Sequence, residues 1–101
     1  MPQRKYQNLS QQRVLKVLDT LFGHEITGIS PAELCKITGL TPTQATRDLA
    51  NLKAFGWAEQ NEKTGRWYVS ARMVQKALAA LDSIEHATQK VKEMKRRYTR
   101  Y

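Results

Sequence analysis

A polar stretch in the middle of the chain carries side chains that can bond to base edges and to phosphates. Within residues 42–55, Arg47 is able to hydrogen-bond guanine through two donors, and Gln44 has the donor and acceptor that adenine requires. Hydroxyl and amide groups near them can bond bases or phosphate oxygens. The predicted nucleic-acid contacts of this stretch are Thr41, Thr43, Gln44, Thr46, Arg47 and Asn51.

Two further groups of basic residues add to this prediction. Lys63, Thr64 and Arg66 surround Gly65 between two short β-prone runs, so we expect them at the tip of a hairpin, within reach of a phosphate backbone. Arg4 and Lys5 form a basic N-terminal arm over residues 1–9. The arm has two interpretations, a tether to DNA or a solvated terminus, and the sequence does not choose between them.

Catalytic and metal-binding chemistry have no support in the sequence. The single cysteine, Cys35, and the two histidines, His24 and His86, lack the spacing of metal ligands. No nucleophile motif and no glycine-rich phosphate loop occurs. We therefore predict that the protein is not an enzyme and that it needs no metal or cofactor, and we interpret Cys35 as a small core residue.

The charge balance points to a polyanionic partner. Seventeen Lys and Arg residues against nine Asp and Glu give a net charge of +8 and a pI near 9.9. Charge alone does not separate DNA, RNA and anionic membranes. No apolar run approaches the ~20 residues of a membrane span, and residues 1–10 lack the apolar core of a signal peptide. We expect a cytoplasmic protein without a membrane partner.

Two capping patterns predict the elements that hold the central polar stretch. Ser30-Pro31-Ala32-Glu33 and Thr41-Pro42-Thr43-Gln44 each place a cap residue, a proline and a Glu or Gln in the order of a helix start. They predict helices Pro31–Thr38 and Pro42–Phe55, joined by a turn at Gly39. The inward side chains are predicted to be Leu34, Ile37, Leu40, Ala45, Leu49 and Leu52.

The flanking segments complete the predicted fold. A first helix begins after Asn8 or Ser10, and residues 57–61 and 66–69 form a hairpin whose tryptophans pack against the helices. A last helix begins after Ser70 and runs to about Arg97. Its early apolar residues are expected to pack on the domain, whereas its far half needs another surface, for which a second copy is the simplest choice.

These elements define a mainly α fold with a small β-hairpin, a winged helix-turn-helix followed by a long C-terminal helix. The predicted organisation is a basic arm at residues 1–9, a winged helix-turn-helix at residues 10–70, and an amphipathic helix with a basic tail at residues 71–101. The last segment is a candidate dimerisation element.

Residues 15–74 resemble the N-terminal domain of IclR-type bacterial transcription regulators. This resemblance implies that Thr43, Gln44 and Arg47 belong to the recognition helix and that Lys63 and Arg66 belong to the wing. The matching motifs include Pro31-Ala32-Glu33-Leu34, Thr38-Gly39-Leu40, Ala45-Thr46-Arg47-Asp48-Leu49, residues 52–59 and Gly65-Arg66-Trp67-Tyr68-Val69.

Two departures from the family limit what the resemblance implies. The sequence has no room for the family's effector-sensing domain, so ligand sensing is not expected. Asp48 replaces an apolar residue, and its carboxylate can either repel DNA or pair with a nearby Lys or Arg.

The sequence predicts a homodimeric transcriptional regulator that binds double-stranded DNA sequence-specifically. An alternative is a winged-helix module for protein interaction or assembly, with only non-specific affinity for nucleic acid.

Overall fold

The computed structural model describes residues 6–99 and has the predicted order of elements; Arg4 and Lys5 lie outside this range. A mainly helical fold carries one small antiparallel hairpin and ends in a long helix, which confirms the predicted fold class. The elements are α1 (Leu9–Leu21), α2 (Pro31–Thr38), α3 (Pro42–Phe55), β1 (Ala58–Gln60), β2 (Trp67–Val69) and α4 (Ala71–Tyr98).

Side-chain caps fix where the helices begin. The Ser30 hydroxyl accepts a hydrogen bond from the Glu33 amide at 3.1 Å. Thr41 and Gln44 form a full capping box, in which each side chain bonds the backbone amide of the other. Because these bonds are local, the predicted bounds of α2 and α3 are the observed ones.

The hairpin is joined to the helical part through an extra bridge. Ala58 pairs with Val69 and Gln60 with Trp67. On its other side, Trp67 exchanges two backbone hydrogen bonds with Ile29, at 2.8 and 2.9 Å. This bridge brings the loop before α2 against the wing.

The core lies between α1, α2, α3 and the inner face of the hairpin. Ile37 is the exception to the predicted set, because it is 58% exposed. Helix α2 has only two turns, and its buried residues are Leu34 and Thr38, which lie one turn apart on the same face. The Thr38 hydroxyl donates to the Leu34 carbonyl at 2.7 Å, so this polar side chain is buried in place of Ile37. The buried apolar residues are Val17, Leu18, Leu21, Ile29, Leu34, Ala45, Leu49, Leu52, Ala58, Trp67 and Val69.

Helix α4 leaves the domain almost at once. None of its 28 residues is buried, and Leu78 is 59% exposed. Only Met73, in the first turn, packs against the core as a partly buried side chain. The prediction that the early apolar residues of α4 pack on the domain is therefore wrong beyond that turn, because the helix is about 42 Å long at 1.5 Å per residue and extends away from a small domain.

Across residues 6–99, no helix is both long enough and apolar enough to span a bilayer.

Candidate nucleic-acid interface

Helix α3 has one buried side and one side that is exposed to solvent. Ala45, Asp48, Leu49 and Leu52 are buried, and all face the core. Arg47 lies on the opposite side and is exposed, and its guanidinium makes no hydrogen bond or ion pair with residues 6–99. The predicted contacts exposed with it are Thr41, Thr43, Thr46 and Asn51, whereas Gln44 is half-buried.

The buried carboxylate of α3 is neutralised by a cation from α1. Arg13 donates from Nε to Asp48 Oδ2 at 2.8 Å and from a terminal nitrogen to Oδ1 at 3.1 Å. Asp48 is 3% exposed, whereas the Arg13 side chain keeps 23% of its surface. The hydrogen bonds that Arg13 donates to the Asp48 carboxylate raise the pKa of the Arg13 guanidinium. Of the two interpretations of Asp48, pairing is the one that the structure shows, and the carboxylate faces away from the exposed side.

Some of the side-chain atoms predicted to contact bases already make hydrogen bonds within α3 or at its N-cap. The Gln44 side-chain oxygen accepts from the Thr41 amide at 3.1 Å, and the Thr41 hydroxyl accepts from the Gln44 amide at 3.2 Å. Asn51 donates its amide to the Arg47 carbonyl at 3.0 Å. Adenine recognition by Gln44 needs its donor and its acceptor together, and within the described residues its oxygen already accepts one bond while its side-chain nitrogen donates none.

The turn between α2 and α3 is held from both sides. Gly39 adopts the left-handed conformation, with φ of 78°, and its amide bonds the Cys35 carbonyl at 2.8 Å. Lys16 on α1 reaches the last carbonyl of α2, at Thr38, with a distance of 3.2 Å. These contacts fix the angle at which α3 leaves α2.

The tip of the wing presents Lys63 and Thr64. Both residues are exposed, and both backbone amides bond the side-chain oxygen of Asn61, at 2.9 and 3.3 Å. The Lys63 ammonium makes no bond with the described residues, so it is available to a partner. This placement agrees with the predicted position at the tip.

Arg66 lies at the base of the wing instead. Its Nε donates to the Thr27 carbonyl at 2.8 Å, and one terminal nitrogen donates to the Gly28 carbonyl at 3.1 Å. The Glu33 carboxylate accepts two more bonds, at 3.1 and 3.2 Å. These bonds hold the wing to the start of α2 and lower the pKa of Glu33. The predicted tip position of Arg66 is therefore corrected, since its donors are used inside the domain.

The aromatic residues of the wing are structural. Trp67 is buried, and Trp57 meets the Phe55 ring edge-to-face with centroids 4.8 Å apart. The Tyr68 hydroxyl donates to the Thr27 carbonyl at 3.3 Å, and its ring covers Gly28.

Several short contacts join the end of α3 to the start of α4. Arg72 donates to the Phe55 carbonyl at 2.8 Å and lies over the Phe55 ring, 5.5 Å from its centroid. The Ser70 hydroxyl donates to the Gly56 carbonyl at 2.6 Å, and the Ser70 amide to the Trp57 carbonyl at 2.9 Å. We call these contacts the α3–α4 junction.

Three supporting residues were not assigned from the sequence. Arg13 pairs with Asp48, Lys16 bonds the end of α2, and Glu33 holds Arg66. Of these, only Arg13 could have been anticipated from the sequence. An acidic residue at an inward position of α3, Asp48, requires a cationic partner, because a buried charge is otherwise costly.

The arrangement defines a winged helix-turn-helix with α3 in the place of the recognition helix. No protein-family model matches the chain, and no curated protein matches it in sequence. Among solved structures, it is similar to Pseudomonas aeruginosa HmgR, an IclR-family regulator, with 26% identity and a TM-score of 0.65. The match covers 75% of this chain and 32% of the HmgR chain, so it spans about a third of that protein. Within residues 6–99, no group of His, Cys, Asp or Glu side chains can hold a metal ion.

Proposed function

We propose that this protein binds double-stranded DNA sequence-specifically and acts as a transcriptional regulator. The observation that carries the proposal is the outward, unpaired Arg47 on the solvated side of a capped and rigidly held α3. The similarity to HmgR, a transcription regulator, supports it.

In this proposal α3 enters the major groove, with Arg47 bonding a base and Thr43, Thr46 and Asn51 beside it. Recognition helices of this type contact base edges with residues near their N-terminus. At the start of α3 only the Thr43 amide is left for a phosphate, since Pro42 has no N–H and the Gln44 amide donates to Thr41. Arg47 is thus proposed to carry specificity.

Phosphate contacts hold the domain in register. We assign them to Lys63 and Thr64 at the wing tip, and to Arg4 and Lys5 in the N-terminal arm. Arg66 contributes indirectly by fixing the wing to α2, so its loss would misplace Lys63 rather than remove a contact.

The proposed regulator is a homodimer that pairs through α4. The support is the row of exposed apolar side chains along this helix, from Val74 to Tyr98. Two copies present two recognition helices, which suits a site with two half-sites.

The test is a salt titration of binding, measured by fluorescence anisotropy on a duplex selected from a random pool. We expect log affinity to fall by ~0.9 per phosphate neutralised as log salt rises. Arg47→Ala should weaken binding to the selected duplex by about 10- to 100-fold, because a bidentate base contact contributes ~1–3 kcal/mol of discrimination. It should weaken binding to a scrambled duplex much less.

Lys76→Ala is the matched control. It also removes one positive charge, from an exposed position of α4 that makes no side-chain hydrogen bond or ion pair with the described residues. If Arg47→Ala and Lys76→Ala weaken the selected duplex equally, Arg47 does not read bases. If no duplex can be selected and binding ignores Arg47→Ala, the protein-interaction alternative stands.

A further inference from the structure

The exposed apolar residues of α4 repeat with the spacing of a coiled coil. Val74, Ala77, Leu81 and Ile84 follow steps of three, four and three residues, and the same alternation continues through Thr88, Val91 and Lys95 to Tyr98. A mean period of 3.5 residues keeps a stripe straight only when the helix supercoils around another helix. Thr88 and Lys95 are polar positions of this stripe, so the pattern indicates a helical partner along α4 whose most apolar contact is the first half, Val74 to Ile84.

The apolar side chains of α4 are uncovered within the described residues. Leu78, Leu81, Ile84 and Val91 are each more than half exposed, and Tyr98 is 73% exposed. Large apolar side chains exposed along one helix mark an interaction surface.

The charges along α4 favour one direction of pairing. Residues 90–97 contain five basic residues and one acidic residue, Glu93. In a parallel pair the two basic ends would lie side by side, and Lys95 would face its own copy within the stripe. An antiparallel pair separates the two basic ends by nearly the length of the helix, about 40 Å. With Val74 level with Tyr98 of the second copy, Arg96 lies level with the single basic residue Lys76 and Lys90 lies level with Asp82. Like-charge repulsion is therefore smaller than in the parallel arrangement.

A groove at the other end of α4 has the complementary charge. It has a volume of about 470 Å³ and is lined by residues of α4, of the wing and of the loop before α2, among them Glu25, Glu59, Tyr68 and Val74. Glu25 accepts from the Gly23 amide at 2.8 Å, and Glu59 from the Ala71 amide at 3.0 Å. Neither carboxylate pairs with a Lys or Arg within residues 6–99.

The groove and the stripe are continuous, because Val74 belongs to both. We infer that α4 of a second copy runs antiparallel along the stripe and that its C-terminal end, with Arg96, Arg97 and Tyr98, occupies this acidic groove. Each protomer thereby completes the groove of the other. The inference rests on the pairing of two copies proposed above, but not on DNA binding.

Distances between spin labels test the direction without DNA. In a Cys35→Ala background, labels are attached at Lys76→Cys in one variant and at Gln89→Cys in another. With Val74 opposite Tyr98 of the second copy, the axial offset is roughly 30 Å for the first site and roughly 9 Å for the second, at 1.5 Å per residue. A parallel pair gives short distances at both sites and overturns the direction while leaving pairing intact. The absence of any intermolecular distance overturns the pairing as well, and neither result bears on DNA binding.

Sedimentation equilibrium tests the groove. Glu25→Arg should weaken dimerisation about tenfold, because an attractive contact with Arg96 and Arg97 becomes repulsive. Glu62→Arg is the matched control, since it makes the same charge change on an exposed glutamate outside the groove. Combining Glu25→Arg with Arg96→Glu and Arg97→Glu should restore most of the affinity. Equal effects of Glu25→Arg and Glu62→Arg overturn the proposed occupant of the groove.

Discussion

Replacing Arg13 by Met leaves the Asp48 carboxylate in the core without its partner. Methionine keeps most of the apolar stem, so the main change is the loss of two hydrogen bonds, at 2.8 and 3.1 Å, to a residue that is 3% exposed. Breaking a buried pair from one side ordinarily costs 3–5 kcal/mol. Because water reaches this pair from the half-buried Arg13 side, we take the low end, about 3 kcal/mol for the unpaired Asp48 carboxylate.

The assay is thermal unfolding followed by circular dichroism at neutral pH. A change of 1 kcal/mol shifts the Tm of a domain this size by about 4–8 °C, so Arg13→Met should lower the Tm by roughly 15 °C. Arg47→Met is the matched control, because Arg47 has no partner among the described residues; its Tm should change by about 4 °C or less.

The double variant Arg13→Met with Asp48→Leu should recover most of the lost stability, since an apolar pair often replaces a buried ion pair without loss. The explanation is refuted if Arg13→Met is no more harmful than Arg47→Met. A double variant that is less stable than Arg13→Met alone would contradict it too, because the pair would then do more than neutralise Asp48.

Two further predictions concern the base of the wing. Gly28→Ala should lower the free energy of unfolding, measured by urea titration, by about 2–4 kcal/mol, because the added Cβ would lie 2.6 Å from the Tyr68 ring. Gly65 has a similar φ but open space around it, so the control Gly65→Ala should lower the free energy of unfolding by only about 1 kcal/mol. Arg66 lowers the pKa of Glu33 from its ordinary value of 4.5, so the ion pair stabilises the fold above that pH and is lost as the pH falls through the lowered pKa. Glu33→Gln should therefore reduce the stability difference between pH 7 and pH 3, and an unchanged difference would show that the pair contributes nothing.

The parts of the fold that the sequence predicted well are those determined by local chemistry. Ser30 and Thr41 begin helices through bonds to the amides three residues later, and Gly39 ends α2 through its own backbone conformation. Such bonds are the same in any tertiary setting, so their residue order is sufficient to locate them. The strands were located to within one residue for a similar reason, since two short β-prone runs on either side of Gly65 are a local signal.

It was harder to predict which side chain is buried and which long-range pairs form, because several neighbours in the sequence can fill one buried position. Ile37 is more apolar than Thr38, yet Thr38 is buried because it shares the face of Leu34 and bonds that residue's carbonyl. Likewise, the proximity of Arg66 to Gly65 suggested the tip of the wing. Its partner Glu33 lies 33 residues away in sequence, and no local pattern shows such a pair.

For the candidate interface, helical spacing was sufficient to predict the exposed side of α3. It placed Ala45 and Leu49 inside and Arg47 outside, as the structure has them. Spacing does not show which atoms remain available, and the oxygen atoms of Thr41 and Gln44 are used by the cap. The contacts of these side chains with DNA stay a prediction.

The α3–α4 junction has a mechanical consequence. Arg72 and Ser70 attach the base of a 28-residue rod to the last turn of the recognition helix through short hydrogen bonds. A force applied near the C-terminal end of α4 therefore acts on α3 through the full length of that helix. The tilt of α3 is therefore coupled to the direction of α4, and whatever holds the distal end of α4 also restrains the orientation of α3.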